Sequence, residues 1–122
     1  MNVEALREYC LVKKGVSETF PFDGDTLVFK VMDKMYALLP LERQPTQLNL
    51  KCDPDRAIEL RETYDGAILP GYHMNKKHWN TIYTEQVDPQ LLMQLIDHSY
   101  ELVVAKLSKA VRAELDTLSG GV

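Results

Sequence analysis

The sequence has no run of about 18 consecutive apolar residues, and no basic segment leads into an apolar one at its start. Neither a membrane-spanning helix nor a secretory leader is therefore expected, and the reading places the chain in the cytoplasm, away from membranes. Cysteine is nearly absent: Cys10 and Cys52 stand far apart and in no paired motif, so both read as buried, reduced thiols. Metal-ligand spacing is missing as well, because His73, His78, His98 and Cys52 do not cluster as a zinc site requires. The glycines are isolated turn residues or terminal, which leaves no phosphate loop, and no serine or cysteine sits in a nucleophile setting. Carboxylates that pair by spacing, Glu59 with Glu62 and Asp53 with Asp55, read as helix surface and capping groups. The chain is accordingly expected to have no catalytic residues, no metal and no cofactor, and not to be an enzyme.

Positive charge is also in short supply. With 14 Lys and Arg against 18 Asp and Glu, the chain carries a formal charge of -4. Such a domain repels polyanions at long range, so nucleic-acid binding would need a local patch that outweighs the whole.

The residues that are present describe one α+β domain over residues 1–118 and a flexible C-terminal tail over 119–122. Val3, Leu6, Tyr9 and Cys10 fall at helical spacing, and the helix is predicted to run to Lys14, with Gly15 as its stop. Thr19-Phe20-Pro21-Phe22 is aromatic but broken by proline, as befits an edge segment leading into a sheet. Leu27–Val31 and Met35–Leu39 are short apolar runs a hairpin turn apart, and Thr46–Lys51 alternates polar with Leu48 and Leu50. Asp53-Pro54 and Asp88-Pro89 each combine an acidic N-cap with a proline at the first helical position. The second of these opens the longest periodic stripe, Leu92, Leu95, Ile96, Ser99, Leu102 and Val103, predicted to end near Leu107. Ser108 can cap a short final helix to Leu118, and two strands are expected between Ala67 and Thr84.

Short connections disfavour repeated crossovers. The expected architecture is a two-layer antiparallel five-stranded sheet with helices on one side, in the order α-β-β-β-α-β-β-α. If Leu27, Phe29 and Val31 face the core, then Val28 and Lys30 point to the other face, joined by Tyr36, Asn49 and Lys51.

One segment can supply the missing positive surface. From Gly66 to Thr84 there is no Asp or Glu, and the stretch holds Tyr72, His73, Asn75, Lys76, Lys77, His78 and Trp79. Lysines can neutralise phosphates, histidines add donors, and an aromatic ring offers a stacking face, so this segment is a candidate nucleic-acid contact. The same residues also suit a solvated turn with a core tryptophan.

Pro70-Gly71-Tyr72-His73-Met74-Asn75-Lys76-Lys77-His78-Trp79-Asn80-Thr81 resembles the signature of the MmcQ/YjbR family of small bacterial proteins. Thr19–Phe22 with Leu27–Val31, Leu50–Pro54, and Ser99-Tyr100 support the resemblance. It implies a fold like that of the secretion chaperones, and DNA binding through a double-wing arrangement of hairpins. No catalytic residue or cofactor is implied. The tentative nucleic-acid contacts are Lys76, Lys77, His78, His73, Asn75, Trp79, Lys30, Lys51 and Tyr36. The alternative is an adaptor-like protein-interaction domain using the open sheet face, with the chain a monomer or weak homodimer.

Overall fold

Asn2 starts the first helix, its Oδ1 accepting the Ala5 amide N–H at 2.8 Å. The computed structural model describes residues 1–22, 24–71 and 74–118. Helix α1 (Val3–Leu11) stops short of the lysines expected in its last turn, with Val12 as its C-cap. Lys13 instead donates to Asp97 at 2.5 Å, and Gly15 turns the chain at φ +74°. A side chain at Gly15 would also collide with Leu115, so space and backbone both call for glycine there.

Strands β1 (Val16–Thr19), β2 (Thr26–Val31), β3 (Lys34–Pro40) and β4 (Gln47–Lys51) follow, then helix α2 (Pro54–Thr63). Strands β5 (Ile68–Pro70) and β6 (Trp79–Tyr83) lead through a 3-10 turn at Thr84–Gln86 to α3 (Pro89–Ala105) and α4 (Lys109–Thr117). Asp53, Asp88 and Ser108 cap α2, α3 and α4 by accepting amide protons in their first turns, as their positions in the sequence predict.

Among the described residues the sheet has six antiparallel strands in the order β1-β2-β3-β4-β6-β5, not the expected five. The addition is β1, paired with β2 from Val16↔Val31 to Thr19↔Val28, and it reaches the predicted edge segment only at Thr19. Its four residues carry a single apolar side chain and none is fully buried, so hydrophobic periodicity gives no signal. Pairing to β2 alone defines it. The element order becomes α-β-β-β-β-α-β-β-α-α.

One core joins all four helices to one sheet face: Leu6 of α1, Ala57 of α2, Ile96 of α3 and Leu115 of α4 share a cluster with Phe29, Leu39, Leu50 and Ile82. β2 and β3 meet in a two-residue turn, Met32 and Asp33, both at positive φ (47° and 70°), the hairpin geometry that matches strand twist. Their ladder then slips: Phe29 pairs with Ala37 but Lys30 with Met35, so Tyr36 is the extra residue of a β-bulge. Beside it, Ser99 of α3 donates its hydroxyl to the Tyr36 carbonyl at 2.6 Å and accepts the Lys51 amide N–H at 2.9 Å. A helix side chain thereby joins β3 to β4 beyond their last paired residues, Ala37 and Leu50.

Cys10 and Cys52 are buried free thiols, as read from the sequence. Burial raises both pKa values, that of Cys10 to about 12. Among the described residues no helix is long and apolar enough to cross a membrane.

Candidate functional site

The turn ahead of β6 is built by its own polar groups and held from below by α2. Asn75 Oδ1 accepts the Lys77 amide N–H at 3.0 Å, and the Asn75 carbonyl accepts from the amides of His78 and Trp79. Arg61 of α2 donates through Nε to Asn80 Oδ1 at 2.7 Å, through Nη2 to the Lys76 carbonyl, and more weakly to the Trp79 carbonyl at 3.4 Å. Gly71 lies so close that a Cβ there would stand 3.0 Å from Trp79 Cβ. Its amide N–H donates to the Trp79 carbonyl at 2.9 Å.

Trp79 opens β6 and pairs with Lys51, whose ammonium lies 5.9 Å from the indole centroid, at the outer limit of a cation–π contact. Lys30 and Met35 pair at the same end of the sheet, and regular alternation along β2 directs Lys30 to the face that carries Val28. Behind Lys51, a recess of about 160 Å³ is lined by Lys51, His78 and Lys106 together with Cys52, Asp53 and Leu102. Burial and the Lys106 charge both lower the Lys51 pKa. At its edge His98 Nε2 accepts the Asp53 amide N–H at 3.2 Å. Burial, and then Arg56, keep that imidazole's pKa below the ordinary histidine value.

The expected contacts divide into two groups. Lys30, Lys51 and His78 lie at one end of the sheet, and Lys76 and Lys77 are exposed on the turn beside it. The Lys76 backbone carbonyl serves as an acceptor for Arg61. Asn75 spends its side-chain oxygen on the turn.

Two placements are corrected. Tyr36 is not on the open face: the bulge rotates it into the core beside Ala37, where its hydroxyl donates to the Cys10 carbonyl and its ring meets Tyr100 edge-on. Trp79 is only 5% exposed, packed with Val28 and Leu38 in a second apolar cluster that Met35 and Met74 flank, so it offers no open stacking face. His73 and residues 119–122 lie outside the described residues.

This second cluster also changes the face expected to be open. Its centre is covered rather than wet, because Met35 and Met74 pack against it. Next to it lies a pocket of about 320 Å³. Sequence reasoning missed three contributors: Arg61, Lys106 and this pocket. No motif surrounds Arg61 or Lys106, and a pocket formed by separate connections leaves no local pattern in the sequence.

These features define a small α+β domain in which an antiparallel sheet carries helices on one face and connecting loops over part of the other. The chain belongs to the YjbR family, whose model matches residues 11–102. It is 37% identical over 107 residues to the uncharacterized protein YbdF of Escherichia coli O157:H7, covering 87% of each chain. It is 29% identical over 113 residues to the uncharacterized protein YjbR of Escherichia coli K12, covering 92% of this chain and 95% of that one. A crystal structure from Deinococcus radiodurans superposes with a TM-score of 0.87 at 46% identity, over 99% of this chain and 94% of the other. One from Pseudomonas syringae gives 0.70 at 30% identity, over 84% and 98%.

Proposed function

We propose that this chain is a non-catalytic regulatory module that binds the phosphate backbone of DNA with the cationic end of its sheet. Lys51, His78 and Lys106 are the central contacts, with Lys77 and Lys30 beside them. The observation that carries the reading is that two ammonium groups and an imidazole line one recess, in a protein whose net charge is -4. Such a cluster offers donors to phosphate oxygens but no base-reading element, so the binding is backbone-directed and strongly salt-dependent. Asp53, the one carboxylate in that recess, caps α2 and leaves the lysines to face the ligand.

The test is fluorescence anisotropy with a labelled duplex of about 20 base pairs at low salt, where about three phosphate contacts give a log–log salt slope near -3. The combined replacement Lys51→Ala, Lys77→Ala, Lys106→Ala is expected to remove most of the affinity and flatten the slope. Absence of wild-type binding at low salt, or equal binding by the triple variant, overturns the proposal.

A protein partner is the second reading, favoured by Phe20 and Phe22, which are 47% and 62% exposed on the connection between β1 and β2. Phe20→Ser with Phe22→Ser would then abolish association seen by sedimentation or capture, while leaving the DNA measurement unchanged.

A further inference from the structure

Three connections close over the sheet face that the helices leave uncovered. Phe22 comes from the β1–β2 connection, Pro40 and Arg43 from the end of β3 and the chain after it, and Met74 from the chain ahead of β6. Leu38, Asn49 and Thr81, side by side on β3, β4 and β6, form the floor of the pocket. It lies on the other side of the Val28–Leu38 apolar cluster from the lysines, towards the end of the sheet where Thr26 pairs with Pro40. It is therefore a site separate from the cationic recess.

Its lining combines apolar side chains with hydrogen-bond donors. Phe22, Leu38, Pro40 and Met74 supply the apolar wall. Thr81 donates its hydroxyl to Asn49 Oδ1 at 2.6 Å, which commits the carboxamide oxygen and leaves the Asn49 amide N–H groups as donors. Among the described residues, neither the Arg43 guanidinium nor the Gln47 side chain has a protein partner. Among the described residues no Asp or Glu lines the pocket. One guanidinium and two amides beside an apolar wall match a single negative charge on an apolar body. A carboxylate fits this better than a phosphate dianion, because its two oxygens meet the fork of one arginine and need no second cation. A volume of about 320 Å³ lies at the small end of ligand pockets, which suits one ring or a short alkyl chain.

The geometry points to this pocket as a binding site for a small organic monocarboxylate, its carboxylate held by Arg43 and Gln47 and its apolar body held between Phe22, Leu38 and Met74. The site does not depend on the DNA-binding reading.

The chain's single tryptophan reports on it, because Trp79 packs with Leu38 and near Met74, two residues of the pocket wall. Benzoate, 3-phenylpropionate and hexanoate would each be titrated against the matching primary amide, following Trp79 emission and the backbone amide resonances of Gln47, Asn49 and Thr81. At least one acid is expected to saturate below about 10 mM and to exceed its amide by about tenfold, the loss of one charge-assisted hydrogen bond. Arg43→Gln, at an exposed position that leaves the fold intact, should abolish that preference without altering amide binding. The variant carrying Lys51→Ala, Lys77→Ala and Lys106→Ala should retain it. The proposal is overturned if no acid saturates, if acid and amide bind alike, if Arg43→Gln changes nothing, or if the perturbed resonances centre on Lys51 and His78. Sedimentation showing a dimer that protects Phe22 and Arg43 would equally overturn it, since a second copy would then fill the pocket.

Discussion

Arg61 on α2 donates through Nε to the side-chain oxygen of Asn80 on β6 at 2.7 Å, and from there spans to the carbonyls of Lys76 and Trp79. A cation in a helix thus holds the turn that presents Lys77 and His78. Asn80 is itself buried and donates weakly to the Ala57 carbonyl at 3.4 Å, so without Arg61 its oxygen would lose its partner. Arg61→Ala should lower stability by about 1–3 kcal/mol, read as a shifted urea midpoint at constant m-value. Arg61→Lys should recover little of it, because one ammonium cannot reproduce a planar fork that meets three acceptors. Full recovery by lysine would mean that charge alone matters here.

Ser99 carries a comparable load between β3 and β4. Replacing it with alanine removes the acceptor of the Lys51 amide and the donor to the Tyr36 carbonyl in one step. Ser99→Ala is expected to cost about 1–3 kcal/mol, with faster hydrogen exchange at the Lys51 amide as the local signature. Unchanged exchange there would show that water substitutes for the hydroxyl.

Alkaline pH should weaken the fold. Burial lifts the Cys10 thiol to about 12, and raises Cys52 and, well above its ordinary range, Tyr36. Each group keeps its proton longer in the folded chain than in the unfolded one. Their contribution is fully present below the unfolded values, near 8.5 for a thiol and 10 for a phenol, and is lost as pH rises through the folded ones. Urea midpoints should hold level near neutrality and fall above about pH 8.5. Cys10→Ala should show a shallower fall. A midpoint that rises over the same interval would contradict the burial of these groups.

Lys51 should lose its charge at lower pH than an ordinary lysine, because burial and then Lys106 disfavour its ammonium form. Carbon-13 NMR of the lysine Cε resonances would single it out, and Lys106→Gln should move its midpoint upward. DNA affinity should decline with rising pH on the Lys51 curve. An indifferent Lys51 resonance in Lys106→Gln would separate the two ammonium groups in space.

What the sequence determined by itself was every feature that local chemistry decides. Asp53-Pro54, Asp88-Pro89 and Ser108 start helices where they occur, since an N-cap needs only its own first turn. Leu92, Leu95, Ile96 and Val103 of the α3 stripe and the alternation Leu27, Phe29 and Val31 along β2 likewise face the core as spacing requires, whereas Leu102 of that stripe lines the cationic recess. Cys10 and Cys52 are buried as their isolation suggested.

Tertiary structure decided what depends on partners remote in sequence. β1 exists as a strand because β2 offers it a free edge, while its own residues bury little. One extra residue in β3 turned Tyr36 from the open face to the core, since a bulge resets the two-residue period and no side-chain pattern announces it. Arg61 looks like any helix surface charge until the turn before β6 folds onto it. Phe22, Arg43 and Met74 become neighbours only when three connections close over one sheet face. Propensity acts over a few residues, whereas pockets and charge clusters arise from chain segments brought together by packing.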